Sequence, residues 1–310
     1  MNMAETDNLA AAGLRGELRE REPMARHVSW RAGGTAERAY VPADLGDIAA
    51  FLRTRPGTEP IYFVGLGSNL LVRDGGLRGT VILTHRALRG IRIERDGGAL
   101  HAEAGVASPK VARYAATHEL AGAEFLAGIP GTLGGALAMN AGCFGSETWE
   151  VIAEVSTVDR SGAIHQRSPG DYEIGYRHVS LKPAGGKRKA EEWFVAAQLR
   201  LVPGDRKESI NKIKQLLVKR LATQPLDEPN AGSVFRNPEG DYAARLIEAC
   251  GLKGHASGGA RISAKHANFI VNPGGARAAD IEALIELAER RVKEKFGIVL
   301  EREVRIVGDA

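Results

Sequence analysis

The chain has 310 residues, 44% of them hydrophobic, which is enough for two or three domains with their own cores. Its 42 basic and 38 acidic residues leave a formal charge of +4, too balanced for a nucleic-acid binder though suited to an acidic small substrate, and 5% aromatics argue against base-stacking platforms. The cysteines, Cys143 and Cys250, sit far apart in sequence with no Cys-x-x-Cys and no disulfide framework, which fits a reducing cytoplasm, while the histidines show no metal-ligand spacing, so no metal is expected.

Residues 1–23 carry charges throughout and no apolar run of signal or anchor length, so no membrane association is expected. A frayed helical turn at Leu14 and Leu18 is the plain reading there. The folded part opens at Ala32-Gly33-Gly34-Thr35-Ala36, followed by a strand over 38–41. Asp44 then caps a helix with Asp47 in its first turn and Leu45, Ile48, Ala49 and Leu52 on one face. Strands over 61–64 and 80–83 complete a small alternating unit ending near residue 89.

Residues 90–94 and 99–104 flank Arg95-Asp96-Gly97-Gly98, a hairpin signal. Ser108 caps the next helix, with Pro109 as its first residue and Gly122 beyond its end. Strands over 151–158, 163–166 and 193–202 make the second unit antiparallel. The basic run 185–189 reads as a solvated loop. A third unit starts near residue 205. It holds an amphipathic helix over 208–221 with Ile210, Ile213, Leu217 and Leu221 at helical spacing, a helix over 242–250 stopped by Gly251, and a strand over 269–272. A helix over 280–296 follows, capped by Asp280 and ended by Gly297, before a strand over 298–307.

Two glycine-rich stretches organise the chain. Residues 128–145 hold six glycines in eighteen positions, and Gly128 and Gly131 bracket Pro130 in a tight turn ahead of a short helix. Such a helix start leaves backbone N–H groups bare, a ready anion site, and Gly134 and Gly135 let a pyrophosphate approach the backbone. A structural turn is the plain alternative. Upstream, Gly65-Leu66-Gly67-Ser68-Asn69-Leu70 leaves the apolar run 61–64, without the third glycine of the dinucleotide fingerprint. The pair of loops suits one diphosphate clamped from two sides.

Three places carry reactive groups. Tyr176-Arg177 offers a guanidinium fork for a carboxylate or enolate, although a surface arginine would read the same. Ser233 sits among small residues with Asn237 four positions on. No Gly-x-Ser-x-Gly elbow surrounds it, which argues against a hydrolase nucleophile while leaving it able to donate a proton. Glu301 and Glu303 share one face of the last predicted strand, and spacing alone does not choose between them.

Together these stretches resemble the UDP-N-acetylenolpyruvoylglucosamine reductases, also called UDP-N-acetylmuramate dehydrogenases. The shared elements, in order, are Arg31-Ala32-Gly33-Gly34, residues 65–71, Gly128-Ile129-Pro130-Gly131, Tyr176-Arg177, Ala231-Gly232-Ser233-Val234-Phe235, Gly258-Gly259-Ala260 with Lys265-His266-Ala267-Asn268-Phe269, and Leu300-Glu301 with Glu303-Val304. They span nearly everything from residue 15 to 307 and look most like the family's short form.

The resemblance implies an α+β protein. Residues 1–24 would be an N-terminal extension, and 25–204 a two-subdomain FAD-binding fold of the vanillyl-alcohol-oxidase type, divided near 89. Residues 205–310 would form an α+β substrate-binding domain. It implies that NADPH reduces FAD, which passes hydride to the enolpyruvyl group of UDP-N-acetylglucosamine enolpyruvate, giving UDP-N-acetylmuramate for peptidoglycan. The catalytic residues would be Arg177, Ser233 and Glu303, which settles the open choice of glutamate.

FAD would lie against Gly65, Gly67, Ser68, Asn69, Leu70, Gly128, Ile129, Pro130, Gly131, Thr132, Gly134 and Gly135. Tyr176, Asn237 and His266 would contact substrate. No histidine or cysteine lies in 65–70, so a non-covalent flavin is expected, in a cytoplasmic monomer. The departures are Val179 where the family often has serine, Arg236 where lysine is common, and Arg261 where glutamine is common. The competing readings are an FAD-dependent alcohol oxidase of the same fold and a flavin-binding module without catalysis.

Overall fold

The structure, a computed structural model, describes residues 13–94, 99–183 and 191–310. The expected turn at 95–98 and the basic run at 185–189 lie outside them. Helices and strands are mixed throughout, as in an α+β protein. Two compact units result, one of Met1–Glu20, Arg38–Gly65 and Thr80–Val218, the other of Arg21–Glu37, Leu66–Gly79 and Lys219–Ala310. This differs from a sequential split at residue 205. Trp30 and Leu71 are core residues of the second unit, where Trp30 Nε1 donates to the Ile270 carbonyl at 2.7 Å and Asn272 Nδ2 donates to the Trp30 carbonyl at 2.8 Å.

A four-stranded sheet runs in the order Glu17–Pro23, Thr35–Val41, Leu77–Leu83, Ile61–Val64. The frayed helical turn expected near Leu14 and Leu18 is corrected. Leu18 lies in the first strand, and both leucines are buried in a core with Tyr40, Ile48 and Phe51. An extended segment beside a sheet buries Leu18 without needing a helical partner face. Helix Leu45–Arg53 forms as expected, with Asp44 accepting from the Asp47 amide at 2.9 Å. Buried Asp47 in turn accepts from Tyr40 Oη at 2.6 Å and the Arg15 amide at 2.8 Å.

Further along the first unit, a five-stranded antiparallel sheet runs in the order Ile164–Arg167, Ile152–Asp159, Glu192–Arg200, Ala99–Glu103, Ile91–Ile93. Helices Ser108–Thr117 and Leu133–Met139 share its core. Ser108 is not the cap expected of it. Ala107 takes that position, because its segment forms an antiparallel bridge to Thr132 that draws Ser108 into the first turn.

The turn after strand Ile152–Asp159 carries a pH-sensitive carboxylate. Burial alone would raise the Asp159 pKa, but hydrogen bonds from Ser161, His165 and the amides of Ser161 and Ala163 outweigh it and hold it at about 2. With an unfolded value of about 3.9, this group stabilises the fold fully above that pH and loses its contribution as pH falls toward the folded value. Melting curves should therefore show the Tm gap between wild type and Asp159→Asn narrowing from about pH 4 to about pH 2. A constant gap would contradict this assignment.

In the second unit Leu70–Val72 pairs in parallel with Arg305–Val307. Beside them lie a three-stranded sheet of Ala256–Ser257, Ala260–Ile262 and Ile270–Val271, and helices Ala243–Ala249 and Ala278–Phe296. Asp280, expected as a helix cap, is instead the third residue of its helix and closes a capping box on Arg277, so the helix starts two residues earlier. The last strand is also shorter than expected, with a single bridge from Arg302 to Phe235 ahead of it. Helix Arg206–Thr223 buries Ile213, while Leu217 and Leu221 remain 36% and 61% exposed, against the apolar face their spacing suggested. Among the described residues no helix is long and apolar enough to cross a membrane.

Candidate active site

The first unit holds a cavity of about 290 Å³ whose wall includes Gly65, Thr132, Gly134, Gly135, Phe63 and Trp193. Three glycines and the hydroxyl-bearing Thr132 are among the lining residues. Phe63 and Trp193 in the same wall are stacked 4.8 Å apart between centroids. Gly65 ends the strand Ile61–Val64 and faces Thr132, which a Cβ would strike.

The bare amide donors expected at the start of helix Leu133–Met139 are filled from within the protein. The Leu133 N–H donates to the Val106 carbonyl at 2.8 Å, the Gly134 N–H to the Ala104 carbonyl at 2.9 Å and the Gly135 N–H to Thr132 Oγ1 at 3.5 Å. The bridge from Ala107 to Thr132 lays residues 104–107 along the helix start, and Gly134 permits it because a Cβ there would stand 2.8 Å from Ala104 Cβ. Close backbone packing, not bare donors, is what this glycine provides.

Gly135 is different. A Cβ there would meet nothing nearer than Thr132 Oγ1 at 3.8 Å, so the space beyond it is the cavity. That leaves room for a ligand to approach the helix backbone closely. Gly128 and Ile129 are buried outside the cavity's lining, Gly128 against Cys143 and Phe144. Gly131 takes φ +109°, a conformation the turn requires.

Arg177 lies at the other end of the short helix. Strands Tyr172–Gly175 and His178–Leu181 pair as a hairpin, with Tyr176 and Arg177 as its turn. Arg177 has φ +54°, a region that favours glycine, and strain of this kind gathers at functional positions. Its guanidinium donates to the carbonyls of Asn140 at 3.2 Å and Gly142 at 2.9 Å, just past the negative end of the helix. Glu147 stands 3.8 Å away. Tyr176 is 47% exposed with the guanidinium 4.9 Å over its ring.

Asn140, which the sequence reading passed over, holds this corner together. Buried and left-handed at φ +42°, it caps the helix, donates from Nδ2 to Glu147 at 2.7 Å and the Gly175 carbonyl at 3.2 Å, and accepts from the Trp149 amide at 3.2 Å. An asparagine closing a glycine-rich helix is the one available signal, since this residue tolerates the left-handed region.

Ser233 and Glu303 belong to the second unit, and its hydrogen bonds bring their segments side by side. The Glu303 amide donates to the Val234 carbonyl at 2.8 Å. From the other side Asn268 accepts the Phe235 amide at 3.0 Å and returns Nδ2 to the Phe235 carbonyl at 2.8 Å. Ser233 is half-buried, and so is Glu303, while Glu301 is exposed and paired with Arg236 at 2.9 Å.

The loop 66–70 lies with this group. Asn69 Nδ2 donates to the Glu303 carbonyl at 3.0 Å, and the Asn69 carbonyl accepts the Arg305 amide at 2.9 Å. Gly67, at φ +58°, lets the loop approach the backbone of His27 and Val28. Ser68 lies between these two fixed residues, and Leu70 opens the strand Leu70–Val72.

His266 accepts the Asn268 amide on Nδ1 at 3.3 Å, leaving its proton on Nε2, and burial lowers its pKa, so it is a neutral donor. Asn237 Oδ1 accepts the Ala243 amide at 3.1 Å and so caps helix Ala243–Ala249.

Comparison with known proteins bears on both units. A model of the FAD binding domain family matches residues 36–168, and a model of the UDP-N-acetylenolpyruvoylglucosamine reductase C-terminal domain matches residues 224–307. The UDP-N-acetylenolpyruvoylglucosamine reductase of Nitrosospira multiformis is 56% identical over 99% of this chain and 94% of its own. That of Alkalilimnicola ehrlichii is 60% identical over 95% and 96%. The crystal structure of the enzyme from Thermus caldophilus, 31% identical, superposes over 94% of this chain and 99% of that one with a TM-score of 0.76. The chain is a member of the UDP-N-acetylenolpyruvoylglucosamine reductase family, an oxidoreductase with an FAD-binding domain.

Proposed function

We propose that the protein reduces the enolpyruvyl group of UDP-N-acetylglucosamine enolpyruvate with NADPH, giving UDP-N-acetylmuramate for peptidoglycan synthesis, cell shape and division in the cytoplasm. The observation that carries this is 56% identity over nearly the whole length of a reductase of that name. Bound FAD would supply the hydride-transfer chemistry between NADPH and the substrate. Residues 25–204 would serve the flavin and 205–310 the substrate, the protein acting as a monomer without nucleic-acid partners.

Gly65, Thr132, Gly134 and Gly135 would hold the flavin dinucleotide in the cavity. The loop residues Gly67, Ser68, Asn69 and Leu70, and the turn Gly128, Ile129, Pro130 and Gly131, would also bind FAD. Arg177 would place its fork on the substrate carboxylate, where negative charge builds as hydride arrives at the terminal carbon of the enolpyruvyl group. The Ser233 hydroxyl would then donate the proton to the carbon beside that carboxylate, and Glu303 would set the polarity around it. Tyr176, Asn237 and His266 would contact the nucleotide sugar.

An absorption spectrum of the purified protein, followed anaerobically by NADPH and then substrate, tests the whole reading. A flavin band that bleaches with NADPH and returns with the enolpyruvyl substrate is expected. Return only with oxygen would identify an alcohol oxidase of the same fold, and no bleaching a non-catalytic flavin module.

Gly135→Leu separates cofactor binding from folding. Leucine is favoured over glycine within a helix by about 1 kcal/mol, and its side chain would grow into the cavity. Colourless protein with a Tm at least equal to that of flavin-free wild type is expected. Yellow, fully loaded Gly135→Leu protein would show that the flavin lies elsewhere.

A further inference from the structure

Tyr172 opens the hairpin that carries Arg177 and is one of the residues that line the cavity. It is 6% exposed and packs between Trp149, 4.9 Å away by centroids, and Phe194, 5.7 Å away. Among the described residues its buried hydroxyl has no hydrogen-bond partner, which is uncommon for a buried phenol.

The carboxylate nearest in influence, Glu192, also lines the cavity but is already engaged. Its Oε1 accepts from Arg167 at 2.6 Å, and its Oε2 accepts from Thr157 Oγ1 at 2.6 Å and Arg167 Nε at 3.2 Å. Burial, with the Glu192 charge second, raises the Tyr172 pKa, so the proton stays on the oxygen at any ordinary pH. A residue of the cavity wall thus carries a buried donor that lacks an acceptor among the described residues. FAD offers acceptors along its whole length, in ring nitrogens, carbonyls, hydroxyls and phosphates.

We propose that Tyr172 Oη donates a hydrogen bond to the bound FAD, making Tyr172 a cofactor-affinity residue. The proposal rests on the flavoprotein reading above. The hydroxyl then gains its partner only on binding, so the bond adds to affinity and not to the stability of the flavin-free chain.

The full chain, stripped of FAD, provides the test as wild type and Tyr172→Phe. Titration with FAD, followed by loss of flavin fluorescence, should show a Kd about 3- to 10-fold higher for the variant. The Tm of the flavin-free variant should equal or exceed that of flavin-free wild type, because an unpartnered hydroxyl has been removed. An unchanged Kd would overturn the proposal and assign the hydroxyl to a water. A lower Tm, or a variant that does not fold, would also overturn it by showing a partner within the fold. Wild type that binds no FAD would defeat the flavoprotein reading itself, a result distinct from all of these.

Discussion

Ser233→Ala is expected to slow the return of the flavin band on addition of the enolpyruvyl substrate by about 10²- to 10⁴-fold, the contribution of a positioned general acid. Bleaching by NADPH should stay close to normal, since that step needs no acid at the substrate carbon. The structure gives reason to expect the fold to survive. Ser233 lies in a segment held by backbone, with the Val234 amide donating to the Asn268 carbonyl at 2.9 Å and the Val234 carbonyl accepting the Glu303 amide at 2.8 Å. None of these bonds uses its hydroxyl. Serine is a poor acid in water, yet the carbanion-like enolate left by hydride addition is a strong base, so placement suffices where acidity does not. Ser233→Cys, which keeps a proton, should recover part of the loss. Stopped-flow measurement of the two halves decides: equal losses in both would indicate a structural defect, and a normal second half would remove Ser233 from the chemistry.

How far the sequence disclosed this site depends on whether the controlling interactions are local. The helix at Leu45–Arg53 and its Asp44 cap were legible because capping and periodicity act within a few residues. Ser233 and Glu303 stood out as residue types, but their adjacency rests on a Glu303 to Val234 hydrogen bond that no local pattern encodes. The loop 65–70 was readable as a loop, whereas its division was not: Gly65 faces Thr132 in one unit, and Asn69 holds the Glu303 carbonyl in the other.

The glycine stretch shows the same limit from the opposite side. Bare donors at the start of helix Leu133–Met139 were a sound local inference, because the first amides of a helix lack partners within it. A distant segment, residues 104–107, supplied those partners. Leu14 and Leu18 misled for a related reason, since two leucines four apart suit either a helical turn or an extended segment beside a sheet.

Arg177→Gly is expected to lower kcat/KM by about 10²- to 10³-fold, the effect of removing a donor aimed at developing negative charge, and to lower Tm as well. The two outcomes have separate causes. At φ +54° the arginine occupies a backbone conformation that costs a side chain about 1–2 kcal/mol and glycine almost nothing. Against that relief stands the loss of two hydrogen bonds from a charged guanidinium, to the Asn140 and Gly142 carbonyls at 3.2 and 2.9 Å, worth about 1.5–3 kcal/mol each, and of the contacts with Glu147 at 3.8 Å and the Tyr176 ring at 4.9 Å. The losses outweigh the relief, so the hairpin turn should be less stable as well as lacking the fork. Arg177→Lys keeps a charge and the strain but not the planar pair of donors, and should fall between wild type and the glycine variant in kcat/KM. Steady-state kinetics beside melting curves for both variants provide the check. A glycine variant within tenfold of wild type would show the arginine to be an element of the turn alone, and one that melts no lower than wild type would show that the strain outweighs its contacts.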